Sequence, residues 1–343
     1  MVKPIYLDYN GTTPHDPEVI EAIRPFLEGA FGNPSSAHWY GIQPKKAVET
    51  ARRQVAGMLN CSAGEIIFTS GGTESNNHAI RGMARWLQDK GNHIITSSFE
   101  HPAVFEVCGY LARNGFEITY LPVGEEGLVD PADVAKAIRP STILISIMHA
   151  NNEVGTVQPL KAISHIARKQ GIALHTDAAQ SVGKIPADVR QLGVDLLSIA
   201  GQKVYAPKGV QETGRRAGTE NIMGIVGLGK ACELAQRDLE KNMAHMKFLR
   251  DRLHQGLLGR LADIRLNGHP EQRLPNTLSL SFKDLEANRI LEEIGLEVAA
   301  SAGAACHADT VELSHVLIAM GLPAEIDKAI RVVADAVARL KPV

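Results

Sequence analysis

Between residues 65 and 199 the chain repeats one device: a short run of mostly β-branched residues almost free of charge, then a stretch with helical spacing. The runs are Glu65–Thr69, Asn92–Thr96, Thr142–Met148, Ile172–Thr176 and Val194–Ile199. A strand with one wet face alternates apolar and polar residues. These runs do not alternate, so both of their faces must be covered. The pattern predicts an α/β fold with a mostly parallel sheet and helices between the strands. Such sheets bind ligands beyond the carboxyl ends of their strands, so the residues that follow each run carry the functional information.

Helices fill the intervals. Asp16-Pro17 and Asp130-Pro131 each pair a capping carboxylate with proline at the first helical position. Val48, Ala51, Val55, Met58 and Leu59 share one helical face. From Ile222 to about Leu261 the pattern is helical and free of proline, which predicts one long helix leaving the larger unit. Leu274–Phe282 reads as a strand, Glu286–Ile294 as a helix and Ala324–Leu340 as a final helix. The expected division is a large domain over 13–235 and a smaller α+β domain from 1–12 and 236–343.

A formal charge of -2 on 343 residues excludes a strongly basic nucleic-acid surface, and no apolar run is long enough to span a membrane. The start, Met1 to Asp8, lacks the charged and apolar regions of an export signal. The four cysteines, at 61, 108, 232 and 306, form no CxxC pair and no zinc spacing, so no metal site is expected. Free thiols in a reducing cytoplasm are the simplest expectation.

Chemistry concentrates after the apolar runs. Ser70-Gly71-Gly72-Thr73 follows one run and opens a helix, where backbone N–H groups and the helix dipole favour an anion. An ordinary strand-to-helix turn would look the same. Asp177 closes one run, and Lys203 is read as closing the next. Alone, the aspartate could be a helix cap and the lysine a solvated surface group. Together they are the pair that pyridoxal 5'-phosphate needs: a carboxylate that keeps the pyridine nitrogen protonated, and an amine that holds the aldehyde carbon as a Schiff base. Gln180, one turn past Asp177, can donate to the phenolic oxygen of the ring. His101 could stack over a ring and shuttle protons, or cap a helix. Asn152 could hydrogen-bond the cofactor or simply occupy a turn. Cys306 lies in a loop of small residues beside His307, as a reactive thiol would, although free cysteines are more often buried and inert.

Nearly end to end, the chain resembles the pyridoxal-phosphate-dependent cysteine desulfurases of the NifS/IscS type. The motifs are Tyr6–Pro14, Gly32–Ser36, Thr69–Asn76, Glu100-His101, Asn151–Gly155, His175–Gln180, Arg216–Asn221 and Ser301–Cys306. The segment around Cys306 is also similar to selenocysteine lyases. The resemblance implies a fold-type-I homodimer whose large domain holds a mostly parallel sheet of the seven-stranded type. It implies Lys203 as the Schiff-base residue, Asp177 as the pyridinium partner and His101 stacked on the ring. Gln180 would meet the phenolic oxygen, Gly72, Thr73 and Gln202 the phosphate, and Asn152 the cofactor. Thr219 would reach the phosphate of the partner's cofactor, with the apolar run from Ile222 to Leu228 helping to seal the dimer. Cys306 would carry a persulfide taken from L-cysteine, or selenium from L-selenocysteine. That sulfur would pass to an iron–sulfur scaffold or another acceptor protein.

Four positions depart from the family pattern. Gln202 and Ala200 replace a usual histidine and serine. After Gly209-Val210 the chain skips an expected strand. After Gly321-Leu322-Pro323 it skips a segment whose arginine clamps the substrate carboxylate in the family. Losing a core strand should damage the fold, so residues left out of the sequence explain both jumps more simply than a natural double deletion. If the jumps are natural, a non-catalytic scaffold homologue is a further alternative.

Overall fold

The computed structural model describes residues 4–209, 219–261, 263–282, 287–294, 297–302, 314–321 and 329–333. The chain opens with β1 (Ile5–Tyr6), α1 (Pro17–Glu28) and α2 (Trp39–Leu59). It continues through α3 (Gly72–Trp86), β2 (His93–Ser97), α4 (Pro102–Arg113), β3 (Glu117–Leu121), α5 (Pro131–Ala137) and β4 (Thr142–Ser146). Then follow α6 (Leu160–Lys169), β5 (Ala173–Asp177), α7 (Val189–Leu192), β6 (Leu196–Ser198) and α8 (Ile222–Leu258). The last part holds β7 (Ile264–Leu266), β8 (Thr277–Phe282), α9 (Ala287–Ile294), β9 (Val298–Ala299), β10 (Ser301–Ala302), α10 (His315–Ala319) and β11 (Ala329–Val333).

The central sheet has the order β3-β2-β4-β5-β6, and every neighbouring pair is parallel. Ile94, Ile95, Leu144, Ile145 and Leu174 are fully buried within it, as strands covered on both faces require. The chain adds β3 on one side of β2 and then returns to add β4 on the other. The carboxyl ends of β2 and β4 therefore flank a topological switch point. Asp16 and Asp130 cap α1 and α5 as expected, accepting from Glu18 and Ala132 N–H at 2.8 Å each. The long helix α8 runs beside α2. A side chain on Gly229 would place Cβ 2.5 Å from the Ala51 Cα, so only glycine permits this approach.

Several expectations change. The central sheet shows five strands among the described residues, not seven. Residues 66–69 join no ladder; among the described residues β6 pairs only with β5, and no neighbouring strand receives the run. Ile66 and Phe68 are buried against α2, and Arg52 Nη1 donates to the Ile66 carbonyl at 2.7 Å. Strand β3 was not legible, because as an edge strand it exposes Glu117 and Tyr120 and lacks a continuous apolar run. Residues 329–333 of the expected final helix instead form β11, antiparallel between β10 and β8. Ile330, Val332 and Val333 are β-branched and suit a strand. Ile225 and Leu228, expected at a dimer seal, lie in the chain's own core with Val55 and Ala206. The skipped segments after Val210 and Pro323 fall outside the described residues.

The second part of the chain forms its own sheet, β10-β11-β8-β7. The N-terminal β1 pairs with β9 in parallel, so residues 5–6 belong to this part and not to the central sheet.

Candidate active site

The carboxyl ends of β2, β4, β5 and β6 converge on a cavity of about 470 Å³. Gly72, Thr73, His101, Asn152, Asp177, Gln180, Gln202 and Lys203 all line it. Eight residues spread over 132 positions are thus gathered at one sheet edge, between residues 72 and 203.

Asp177 is the last residue of β5 and is 6 % exposed. Its Oδ2 accepts from Asn76 Nδ2 at 2.7 Å and its Oδ1 from Ala179 N–H at 2.9 Å. Both oxygens are thereby held in a fixed plane. Lys203, expected to end a strand, instead sits five residues beyond β6 in a one-turn 3₁₀ helix, Gly201–Lys203. Its Nζ donates to the carbonyls of Asn10 and Gly11 at 2.5 Å each. Gln180 Nε2 donates to the same Asn10 carbonyl at 3.0 Å. The Gln202 carbonyl accepts from Thr13 N–H at 2.9 Å and Thr13 Oγ1 at 3.0 Å, which pins the lysine turn to the N-terminal segment.

Gly71 precedes α3 with φ 146°, in the region that favours glycine, and Gly72 and Thr73 begin the helix. The first N–H groups of a helix have no partner within it, so this end offers donors to an anion. His101 caps α4, its Nδ1 accepting from Ala103 N–H at 3.1 Å. The ring proton therefore sits on Nε2. Burial pushes the His101 pKa below the usual imidazole range, Asp177 opposes that, and Lys203 and His315 add to it. Asn152 is buried and its carbonyl accepts from Asn10 Nδ2 at 3.3 Å.

Sequence reading gave no role to Asn10, Asn76 or Glu100. Asn10 joins the two halves of the molecule: Nδ2 donates to Thr277 Oγ1, and Oδ1 accepts from Asn276 Nδ2, each at 2.9 Å. Glu100 is fully buried, and burial pushes its carboxyl pKa up to about 8. The only signal for these residues was their place inside the quoted motifs. Thr219 is exposed and does not line its own chain's cavity. Cys306 lies outside the described residues.

The class-V aminotransferase model matches residues 5–212 and 211–332. The match breaks where the sequence skips the expected strand. A cysteine desulfurase IscS from Dictyoglomus turgidum is 49 % identical, covering 95 % of this chain and 88 % of its own length. A solved NifS-like protein superposes with TM-score 0.89 at 35 % identity, covering 96 % of this chain and 93 % of that one. Another, described as SspA in complex with cysteine, gives 0.84 at 36 %, covering 96 % and 98 %. The chain belongs to the cysteine desulfurases of the class-V aminotransferase family. Enzymes of this family depend on pyridoxal phosphate.

The cavity fits that group. A helix N-terminus with glycine at its entry suits the phosphate, and a Gly72 side chain would place Cβ 3.2 Å from Ala200 Cβ, in the space between. A buried carboxylate suits a protonated pyridine nitrogen, and a lysine amine reaches the same space.

Proposed function

We propose that this chain binds pyridoxal 5'-phosphate through Lys203 and converts L-cysteine to L-alanine, leaving a persulfide on Cys306. The observation that carries the reading is the convergence of the Lys203 amine and the Asp177 carboxylate on one cavity, Asp177 from the end of β5 and Lys203 from the 3₁₀ turn that follows the neighbouring β6. Gly72 and Thr73 would hold the phosphate, with Gln202 available beside it. His101 would face the ring, Gln180 would donate to the phenolic oxygen, and Asn152 would help orient the bound molecule. When bound, the cofactor supplies an electron sink for charge developing at the substrate Cα.

The protein's own groups do the rest. Asn76 and the Ala179 N–H fix the Asp177 carboxylate. Lys203, steered by the carbonyls of Asn10 and Gly11, takes the Cα proton. His101 can exchange a proton only at Nε2, because Nδ1 is committed to the α4 cap. The Cys306 thiolate attacks the sulfur of the substrate. The C–S bond breaks as the S–S bond forms; the carbon fragment keeps the electron pair and is protonated to alanine, and the two sulfurs are oxidised to a persulfide.

The other thiols are poor candidates for that attack. Burial pushes Cys108 and Cys232 up to about 12 and raises Cys61, so none is a thiolate at neutral pH. A homodimer is the working form. Phe31 and Trp39 are 74 % and 71 % exposed, and Trp39 stacks on Tyr40 at 4.0 Å, an aromatic surface that a second copy would cover. Thr219, which does not line its own chain's cavity, then serves the partner's phosphate. The persulfide sulfur passes to an iron–sulfur scaffold or another acceptor protein, in a reducing cytoplasm. Among the described residues no helix is long and apolar enough to cross a membrane.

The test is to load the purified chain with pyridoxal phosphate, reduce it with borohydride and map the labelled peptide, then assay alanine from L-cysteine and L-selenocysteine. A label on Lys203 with alanine formed from L-cysteine supports the reading. A label on Lys208, or alanine from L-selenocysteine alone, overturns it.

A further inference from the structure

The chain downstream of Cys306 is fastened to the cavity wall at two points, and both lie beside residues already placed in the site. Ser314 Oγ donates to Glu153 Oε2 at 2.5 Å, and Glu153 follows Asn152. His315 Nε2 donates to the carbonyl of Glu100 at 2.9 Å, and Glu100 precedes His101. The His315 ring also meets Phe105 edge-on at 5.5 Å. Behind these polar contacts, Val316, Leu317 and Met320 pack with Phe99, Met148 and Val154 in one buried cluster. Glu153 is 2 % exposed, and among the described residues its Oε1 has no hydrogen-bond partner. Among the described residues, the Ser314 hydroxyl is thus the one donor to this buried acid. Such an acid is costly to leave unsatisfied.

We infer that Ser314 and His315 are positioning residues for sulfur transfer: together they clasp the downstream end of the Cys306 segment to the wall that carries His101 and Asn152. The inference rests on the assignment of Cys306 as the sulfur acceptor. Ser314 lies eight positions after Cys306, so eight chain steps keep that residue within about 28 Å of the clasp even at full extension. Fixing that end shrinks the volume the thiol must search, and approach geometry controls the rate of a transfer between positioned groups. The clasp touches neither the phosphate site at Gly72 and Thr73 nor Lys203. Its loss therefore slows sulfur transfer and spares cofactor binding.

Ser314 also caps α10, accepting from Val316 N–H at 3.2 Å, so the test must separate the cap from the clasp. Ser314→Asp keeps a capping oxygen and sets one carboxyl group against another. Ser314→Asn keeps the cap and can still donate to Glu153. In pyridoxal-phosphate-loaded enzyme, single-turnover persulfide formation on Cys306 should fall on the order of 10-fold in Ser314→Ala and Ser314→Asp. It should stay near wild type in Ser314→Asn, with cofactor absorbance and the KM for L-cysteine unchanged throughout. His315→Ala should slow transfer and His315→Gln, which keeps a donor, should restore most of it. If Ser314→Asp transfers sulfur at the wild-type rate, Ser314 is only a helix cap and the inference fails. Cys306→Ala serves as the separate control: full persulfide formation without Cys306 would sink the underlying assignment instead.

Discussion

In the proposed site, the residues that carry the lysine half and those that flank the segment of Cys306 belong to different kinds of structure. Asp177 ends a buried strand, and Lys203, His101 and Asn152 stand a few residues beyond three others, with fully buried neighbours such as Ile95, Ile145 and Leu174 behind them. The segment of Cys306 leaves a two-residue strand, β10, and re-enters the described structure at Ser314, before a five-residue helix. The first half is fixed by a covered parallel sheet whose geometry many contacts determine. Downstream of the second, the described residues Ser314 and His315 are held by polar contacts to Glu153 and Glu100. Cofactor-holding groups need a constant geometry, whereas a thiol that must collect a sulfur and hand it on needs an anchor that leaves it room.

The most severe break is in the rigid half. Lys203→Ala should lower alanine formation from L-cysteine by at least about 10³-fold, because it removes both the covalent holder and the base. Borohydride should then fix no cofactor. Cys306→Ala should break only the other half: cofactor uptake and its absorbance stay intact, while persulfide formation stops. If the two variants lost cofactor binding alike, the halves would not be independent, and the contrast would be wrong.

Asn10 ties the lysine turn to the second sheet, since its carbonyl accepts from Lys203 while its side chain binds Asn276 and Thr277. Asn10→Ala should keep the carbonyl but loosen the link, lowering kcat on the order of 10-fold with a smaller change in KM. Unchanged kcat would show that the lysine is positioned by the central sheet alone.

How much of this was legible follows the same division. The apolar runs at 92–96, 142–148, 172–176 and 194–199 announced a parallel sheet because strands covered on both faces carry no alternation. Their ends gave Asp177, His101 and Asn152 directly, and Lys203 apart from its 3₁₀ turn. Resemblance, not periodicity, supplied the individual roles. The edge strand β3 was missed because an edge needs only one apolar face, and the run at 65–69 was misread because a strand also needs a neighbour to pair with. The expected final helix failed at 329–333, where pairing with β8 and β10 decides the outcome and local spacing cannot report it. Glu100 and Glu153 were invisible as anchors, since their partners lie 161 to 215 residues away.

The smallest expected effect concerns stability and isolates one wall of the cavity. Burial first, with Asp177 adding, raises the Glu100 carboxyl to about 8, although Met148 N–H and Ser97 Oγ oppose the shift by donating to Oε1. A carboxyl whose folded pKa exceeds its unfolded one binds its proton more tightly in the native state. Its contribution is therefore full below the ordinary carboxylate range, declines as pH rises toward 8, and is lost above that. His149 and His175 act in the opposite sense. Burial depresses them to about 4 and about 3, so they weaken the fold as pH falls below the ordinary imidazole value. Glu100→Gln keeps an acceptor for Ser97 and Met148 and removes the ionisable proton. Thermal melts of this variant and the wild type should nearly coincide at pH 5. By pH 8 to 9 the variant should melt higher by on the order of 1–3 °C, while both retain the same acid-side decline from the histidines. Parallel curves across that range would show that Glu100 does not titrate there, and that the wall carrying His101 is no more sensitive to alkali than the rest of the sheet.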